Sequence, residues 1–103
     1  MTPEGAIKKD IYNWLDYNGL VWIKHDPVQM GGGHFTPVRP SQKGAPDAFI
    51  FLKGSFLAVE VKSLTGRLSP EQISWAARIL AVGGHWVLAR SLDDVKKVLV
   101  KLC

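Results

Sequence analysis

The sequence predicts an α/β domain whose mixed central β-sheet is flanked by helices, and three features carry that prediction. In Leu57-Ala58-Val59-Glu60-Val61-Lys62, apolar Leu57, Val59 and Val61 alternate with Ala58, Glu60 and Lys62, the period-two pattern of a strand with one buried face. Thr2-Pro3-Glu4 and Ser69-Pro70-Glu71-Gln72 read as helix starts, each with a capping hydroxyl, a proline at the first helical position and an acid in the first turn. Helical and strand patterns then follow one another in the order α-β-(β)-β-β-α-β-α.

The first helix runs from Thr2 to the stop at Asn18-Gly19, with Ile7, Ile11, Trp14 and Leu15 on one stripe. At 100° per residue Glu4 falls between the directions of Ile11 and Leu15, so it points inward. Leu20-Val21-Trp22-Ile23 is short and apolar, as a buried strand would be, and Lys24-His25 closes it. From Asp26 to Ala45 three prolines, several glycines and no sustained period describe a long connection, with a short strand at His34-Phe35-Thr36. Gly31-Gly32-Gly33 lacks the Lys-Ser/Thr ending of a phosphate-binding loop. Asp47 opens the run Ala48-Phe49-Ile50-Phe51-Leu52, and Lys53-Gly54-Ser55 is a hairpin connection to the strand that ends at Lys62.

After a turn over 63–68, Ser69 caps the second long helix and Gln72 stands where a capping box needs it. Ile73, Ala76, Ala77 and Leu80 give this helix its expected inward stripe, and Gly83-Gly84 ends it. His85-Trp86-Val87-Leu88-Ala89 is the next strand. Ser91 caps a last helix with Val95, Val98, Leu99 and Leu102 on one face, acids early and lysines late, as the helix dipole favours.

Composition narrows the function. The 103 residues leave room for one domain, 1–103. Thirteen Lys and Arg against nine Asp and Glu give a net charge of +4, which suits a polyanionic partner. The one cysteine, Cys103, excludes an internal disulfide or a cysteine metal cluster and fits a reducing cytoplasm. No apolar run approaches the ~20 residues that span a bilayer, and Met1–Asp10 lacks a signal-peptide core. No membrane partner is expected.

The hairpin brings two acids together. Pairing the two strands sets Asp47 close to Glu60, and two adjacent carboxylates drive one another towards protonation unless a cation sits between them. Mg²⁺ or Mn²⁺ meets that need, with the Val61 carbonyl as a further oxygen. Lys62 shares the strand face of Glu60. In the connection before the hairpin, His34, Phe35, Arg39 and Lys43 offer the basic and aromatic chemistry that suits a DNA backbone and an unstacked base.

Gly44-Ala45-Pro46-Asp47, Glu60-Val61-Lys62 and Thr65-Gly66-Arg67-Leu68-Ser69-Pro70-Glu71-Gln72 together resemble the VRR-NUC domain of the PD-(D/E)XK nuclease superfamily, over nearly the whole chain. The resemblance implies a restriction-endonuclease-like core and a metal-dependent DNA endonuclease acting on branched DNA such as four-way junctions or flaps. It implies metal ligands at Asp47, Glu60 and Val61, catalysis by these acids with Lys62 and Gln72, and DNA contacts at His34, Arg39, Lys43 and Arg67. Glu4 has two readings, an additional metal ligand as in related first helices or a dipole-complementing acid. Gln72 likewise reads as a capping residue and as an active-site helper.

A stand-alone member of this kind implies a phage or bacterial host cytoplasm. It also implies a homodimer, here with Trp75 or Trp86 at the interface beside Ile79 or Val82. Two rivals stay open: a nucleic-acid-binding module of the same fold with weak or no catalysis, and a small metal hydrolase acting on nucleotides. No Ser-His or Cys-His arrangement argues for a covalent intermediate.

Overall fold

The computed structural model describes residues 1–25, 29–31, 34–36 and 39–103, the two short internal runs by backbone pairing alone. Its elements are α1 (Pro3–Tyr17), β1 (Trp22–Lys24), β2 (Gln29–Gly31), β3 (His34–Thr36), a 3₁₀ turn (Pro40–Gln42), β4 (Ala48–Leu52), β5 (Ser55–Val61), α2 (Pro70–Ala81), β6 (His85–Ala89) and α3 (Leu92–Leu102). The predicted caps form. Thr2 Oγ1 accepts the Gly5 N–H at 3.0 Å, and Ser69 and Gln72 complete a reciprocal capping box.

The central sheet has the order β1-β4-β5-β6, antiparallel except for the β5–β6 pair, which α2 joins as a crossover. Leu52 faces Ser55, so the β4–β5 turn is two residues, Lys53-Gly54, with Gly54 at φ +77° as a tight hairpin requires. β2 and β3 form a separate two-stranded hairpin with Gly31 opposite His34. The side chains of His34 and Phe35 and the Gly32-Gly33 segment lie outside the described residues.

One face of the sheet carries the main core. Ile11 and Leu15 from α1 and Val95 and Leu99 from α3 close over Ala48, Ile50, Leu57, Val59, Val61, Val87 and Ala89. α2 covers the other face, where Phe49, Phe56, Trp75, Arg78, Ile79 and Val82 line a small cavity of about 260 Å³. Gly84 makes that packing close, since a Cβ there would come within 2.4 Å of the Phe56 ring. Among the described residues no helix is long and apolar enough to cross a membrane.

Three local expectations are corrected. β5 is buried on both faces, with Ala58 and Glu60 enclosed beneath α2 rather than facing solvent. The inward stripe of α2 is Trp75 and Ile79, while Ile73 and Leu80 are 55% and 57% exposed. Apolar residues occupy both sides of this helix, so periodicity alone does not select the side that packs. β1 is shorter than expected and half open, with Ile23 exposed, because an edge strand gains cover from one neighbour only.

Candidate active site

Asp47 is placed by the segment before it. Gly44 has φ +85°, and a Cβ there would lie 2.6 Å from Glu71 Cβ and 2.7 Å from the Glu71 carbonyl carbon. The chain therefore presses against the first turn of α2 where only glycine fits. Buried Pro46 leads into Asp47. The Asp47 N–H donates to the Val59 carbonyl at 2.9 Å, although Ala48 is the residue that faces Val59 in the ladder. Two successive residues thus address one residue of β5, the arrangement of a β-bulge, which ends pairing and re-aims a side chain. Asp47 Oδ2 accepts the Val61 N–H at 2.7 Å, and its Oδ1 lies 3.3 Å from the Lys8 ammonium.

Val61 N–H points past the end of β4, and in a strand the same residue's carbonyl points the same way. The expected backbone oxygen is therefore on the Asp47 side.

Glu60 is 2% exposed, and its Oε1 is buried with no hydrogen-bond partner. Its Oε2 is approached by Gln72 Nε2 at 3.4 Å. Burial above all, then the hydrogen bond and charge of Asp47, lift the Glu60 carboxyl from 4.5 to about 9 against the opposing pull of Lys62 and Lys8. A carboxyl in this position keeps its proton at neutral pH unless a cation joins it. The orphaned oxygen and the adjacent Asp47 carboxylate fit a hard divalent ion. Among the described residues no cluster of three or more His, Cys, Asp or Glu side chains forms. The protein oxygens that would hold such an ion are therefore those of Asp47, Glu60 and the Val61 backbone.

Lys62 follows directly on β5, its N–H bonded to the Ala89 carbonyl at 3.0 Å. Its stem runs beside Gly66, where an added Cβ would sit 3.4 Å from Lys62 Cδ. The Arg90 guanidinium fixes this turn by donating to the carbonyls of Ser63 and Gly66. Gln72 forms the expected cap, Oε1 accepting the Ser69 N–H at 2.8 Å, while its Nε2 faces Glu60 at 3.4 Å.

The remaining predicted residues are more dispersed. Glu4 lies 3.3 Å from the Lys8 ammonium and reaches the acidic pair through that lysine. Arg39, Lys43 and Arg67 are exposed. The His34 side chain lies outside the described residues. Among the dimer candidates, Ile79 is buried, Trp75 is half-buried with its Nε1 donating to the Lys43 carbonyl at 3.0 Å, and Trp86 Nε1 is buried on the edge strand β6. Val82 alone of the four is widely exposed.

Sequence reasoning missed Lys8 and Arg90. Burial pulls the Lys8 pKa down, but the flanking Asp47 and Glu4 outweigh it and leave it raised. The Glu4-Lys8 spacing of one helical turn was the available signal, whereas Arg90 acts across 24 residues and leaves no local trace. His25 also stands beside the site, its N–H donating to the Asp47 carbonyl at 2.8 Å.

Residues 35–93 match the VRR-NUC domain. No curated protein matches the chain. The matched span covers more than half of the sequence and contains the bulged Asp47, the buried Glu60, Lys62 and the Gln72 cap. The chain belongs to the VRR-NUC family, the branch of the PD-(D/E)XK nucleases whose mixed α/β core this fold has and whose members generally use divalent metals.

Proposed function

We propose that this protein is a Mg²⁺- or Mn²⁺-dependent DNA endonuclease that hydrolyses phosphodiester bonds, selective for branched DNA such as four-way junctions or flaps. The observation that carries the reading is Glu60, a buried acid with an unpartnered oxygen, set against Asp47 and, among the described residues, enclosed with an otherwise apolar set of buried side chains. Such an arrangement is costly for a fold and useful for holding a cation.

In this reading Asp47, Glu60 and the Val61 carbonyl would hold the divalent ion, which when bound would supply Lewis-acid polarisation of the phosphate and acidification of water. The bulge and the Val61 N–H fix the Asp47 carboxylate before substrate arrives. Gln72 steadies Glu60 from a side chain that its own cap already orients. Lys62 brings its ammonium to the charge that grows on the phosphate oxygens. Glu4 serves the site through Lys8, and Arg39, Lys43, His34 and Arg67 contact the DNA backbone.

The test is a panel of labelled linear, flap and four-way DNAs with each metal. Cleavage favouring branched forms is expected, with calcium supporting binding without turnover because its looser coordination positions the phosphate poorly. Absence of cleavage on every DNA in both metals, with binding retained, would leave the binding module as the better description.

Branched substrates with paired strands favour a homodimer. The exposed apolar pair Ile73 and Leu80 on the outer side of α2, rather than Trp75 or Trp86, is the surface suited to it. Light scattering decides the point: a dimeric mass that Leu80→Glu halves supports the assembly, and a monomeric mass with full activity on junctions removes it.

A further inference from the structure

We infer that the groove between the Pro40–Gln42 turn and α2 is a subsite for the phosphodiester backbone of the DNA strand that enters the Asp47–Glu60 site, with Arg78 and Lys43 as its cationic contacts. This rests on the nuclease reading and adds a location and residues to it. The groove has a volume of about 400 Å³, and its polar lining is Ser41, Lys43, Glu71, Ser74 and Arg78.

Its construction is specific. The Arg78 guanidinium carbon lies 4.5 Å from the Trp75 ring centroid, and its Nε donates to the Ser74 carbonyl at 3.4 Å. An arginine stacked on an aromatic face and held through Nε keeps its terminal nitrogens free for a phosphate in the planar, two-pronged geometry that carboxylate and phosphate accept. The same indole, through Nε1, holds the Lys43 carbonyl. One tryptophan therefore fixes both walls, bringing together cations that are far apart in sequence. Among the described residues neither Arg78 nor Lys43 forms an ion pair, whereas Lys97 on α3 is bound to Asp93 at 3.2 Å. Glu71 opposes an anion here, but it is one carboxylate against two cations, and the Ser41 and Ser74 hydroxyls add neutral donors.

Position links the groove to the chemistry. Gln72, which faces Glu60, and Arg78 lie on the same helix, so about 9 Å of helix separates them at 1.5 Å per residue. On the other wall Lys43 adjoins Gly44, which is pressed against Glu71 and Gln72. A strand with one phosphate at Glu60 reaches the groove within about three base steps of 3.4 Å.

The experiment measures binding of a short fluorescent DNA duplex by anisotropy in calcium, across a series of salt concentrations, for the wild-type chain and for Arg78→Gln, Lys43→Gln and Lys97→Gln. Each of the first two variants is expected to weaken binding and to lower the slope of log affinity against log salt by about 0.9, the loss of one phosphate contact. Lys97→Gln should match wild type. Lys43→Gln leaves the Arg78–Trp75 stack intact, so it answers independently of any repacking in Arg78→Gln, and thermal melting checks that each variant is folded. Wild-type slopes in both groove variants, with DNA still bound and cut, overturn the subsite and leave the nuclease reading standing. Failure of the wild-type chain to bind DNA overturns both.

Discussion

The two faces of the central sheet differ in what they enclose, although one strand, β5, supplies both. Beneath α1 and α3 the strand contributes Leu57, Val59 and Val61 to a continuous apolar core. Beneath α2 it contributes Ala58 and then Glu60, a buried acid with one oxygen unmatched. Alternation along a single strand thus divides stability from chemistry at intervals of one residue. The acid sits at the end of its row, where β4 stops pairing and the Asp47 bulge begins, so the core is not interrupted.

Substitutions on the two faces should separate these roles. The largest effect is on activity: Asp47→Ala and Lys62→Ala should each reduce cleavage to background while melting within a few degrees of wild type. Retained cleavage in either purified variant would remove the site. Next comes Ile50→Ala on the core face, fully buried, which should cost about 2–5 kcal/mol in denaturant unfolding with activity per folded molecule preserved. A loss of activity at unchanged stability would erase the distinction between the faces.

An effect that is smaller per pH unit concerns protonation. Folded Glu60 holds its proton to about pH 9 whereas its ordinary value is 4.5. Between those values the folded chain binds more protons than the unfolded one, so unfolding free energy falls as pH rises, by at most about 1.4 kcal/mol per pH unit for this one group. The decline should flatten below 4.5 and above about 9. Urea titrations of the metal-free protein across this window should show a steeper decline for wild type than for Glu60→Gln. Parallel curves would mean that Glu60 is not held protonated by its burial.

Much of this arrangement was legible because it is local. The caps at Thr2 and Ser69, the hairpin connection at Lys53-Gly54-Ser55, of which Ser55 already belongs to β5, and the alternation of β5 each follow from residues within a few positions of one another, and hairpin pairing brings Asp47 towards Glu60 before the bulge sets its carboxylate. What escaped depends on contacts between distant elements. Ile73-Leu80 and Trp75-Ile79 are both acceptable helical stripes, and the choice between them is made by Phe56 and Gly84, which no window on α2 contains. The enclosure of Glu60 follows from that same docking, and the Arg90 clamp on the 63–66 turn is likewise set by tertiary contact.

Lys8 offers the finest test, because it reaches the acidic pair from the helix that covers the opposite face. Its ammonium lies 3.3 Å from both Asp47 and Glu4 and is partly exposed. In the metal-free protein it is the cation already in contact with Asp47, and a divalent ion must share or displace it. A half-exposed ion pair is worth about 0.2–1 kcal/mol, so Lys8→Gln should tighten Mn²⁺ binding, by no more than about fivefold, and lower metal-free stability by a similar energy. Calorimetric titration with Mn²⁺ and urea unfolding read the two quantities separately. A lysine that merely props Asp47 in place would give the opposite sign in the first measurement, with weaker metal binding in the variant. That result would move Lys8 from competitor to support, and would make α1 part of the metal site's scaffold rather than its counter-charge.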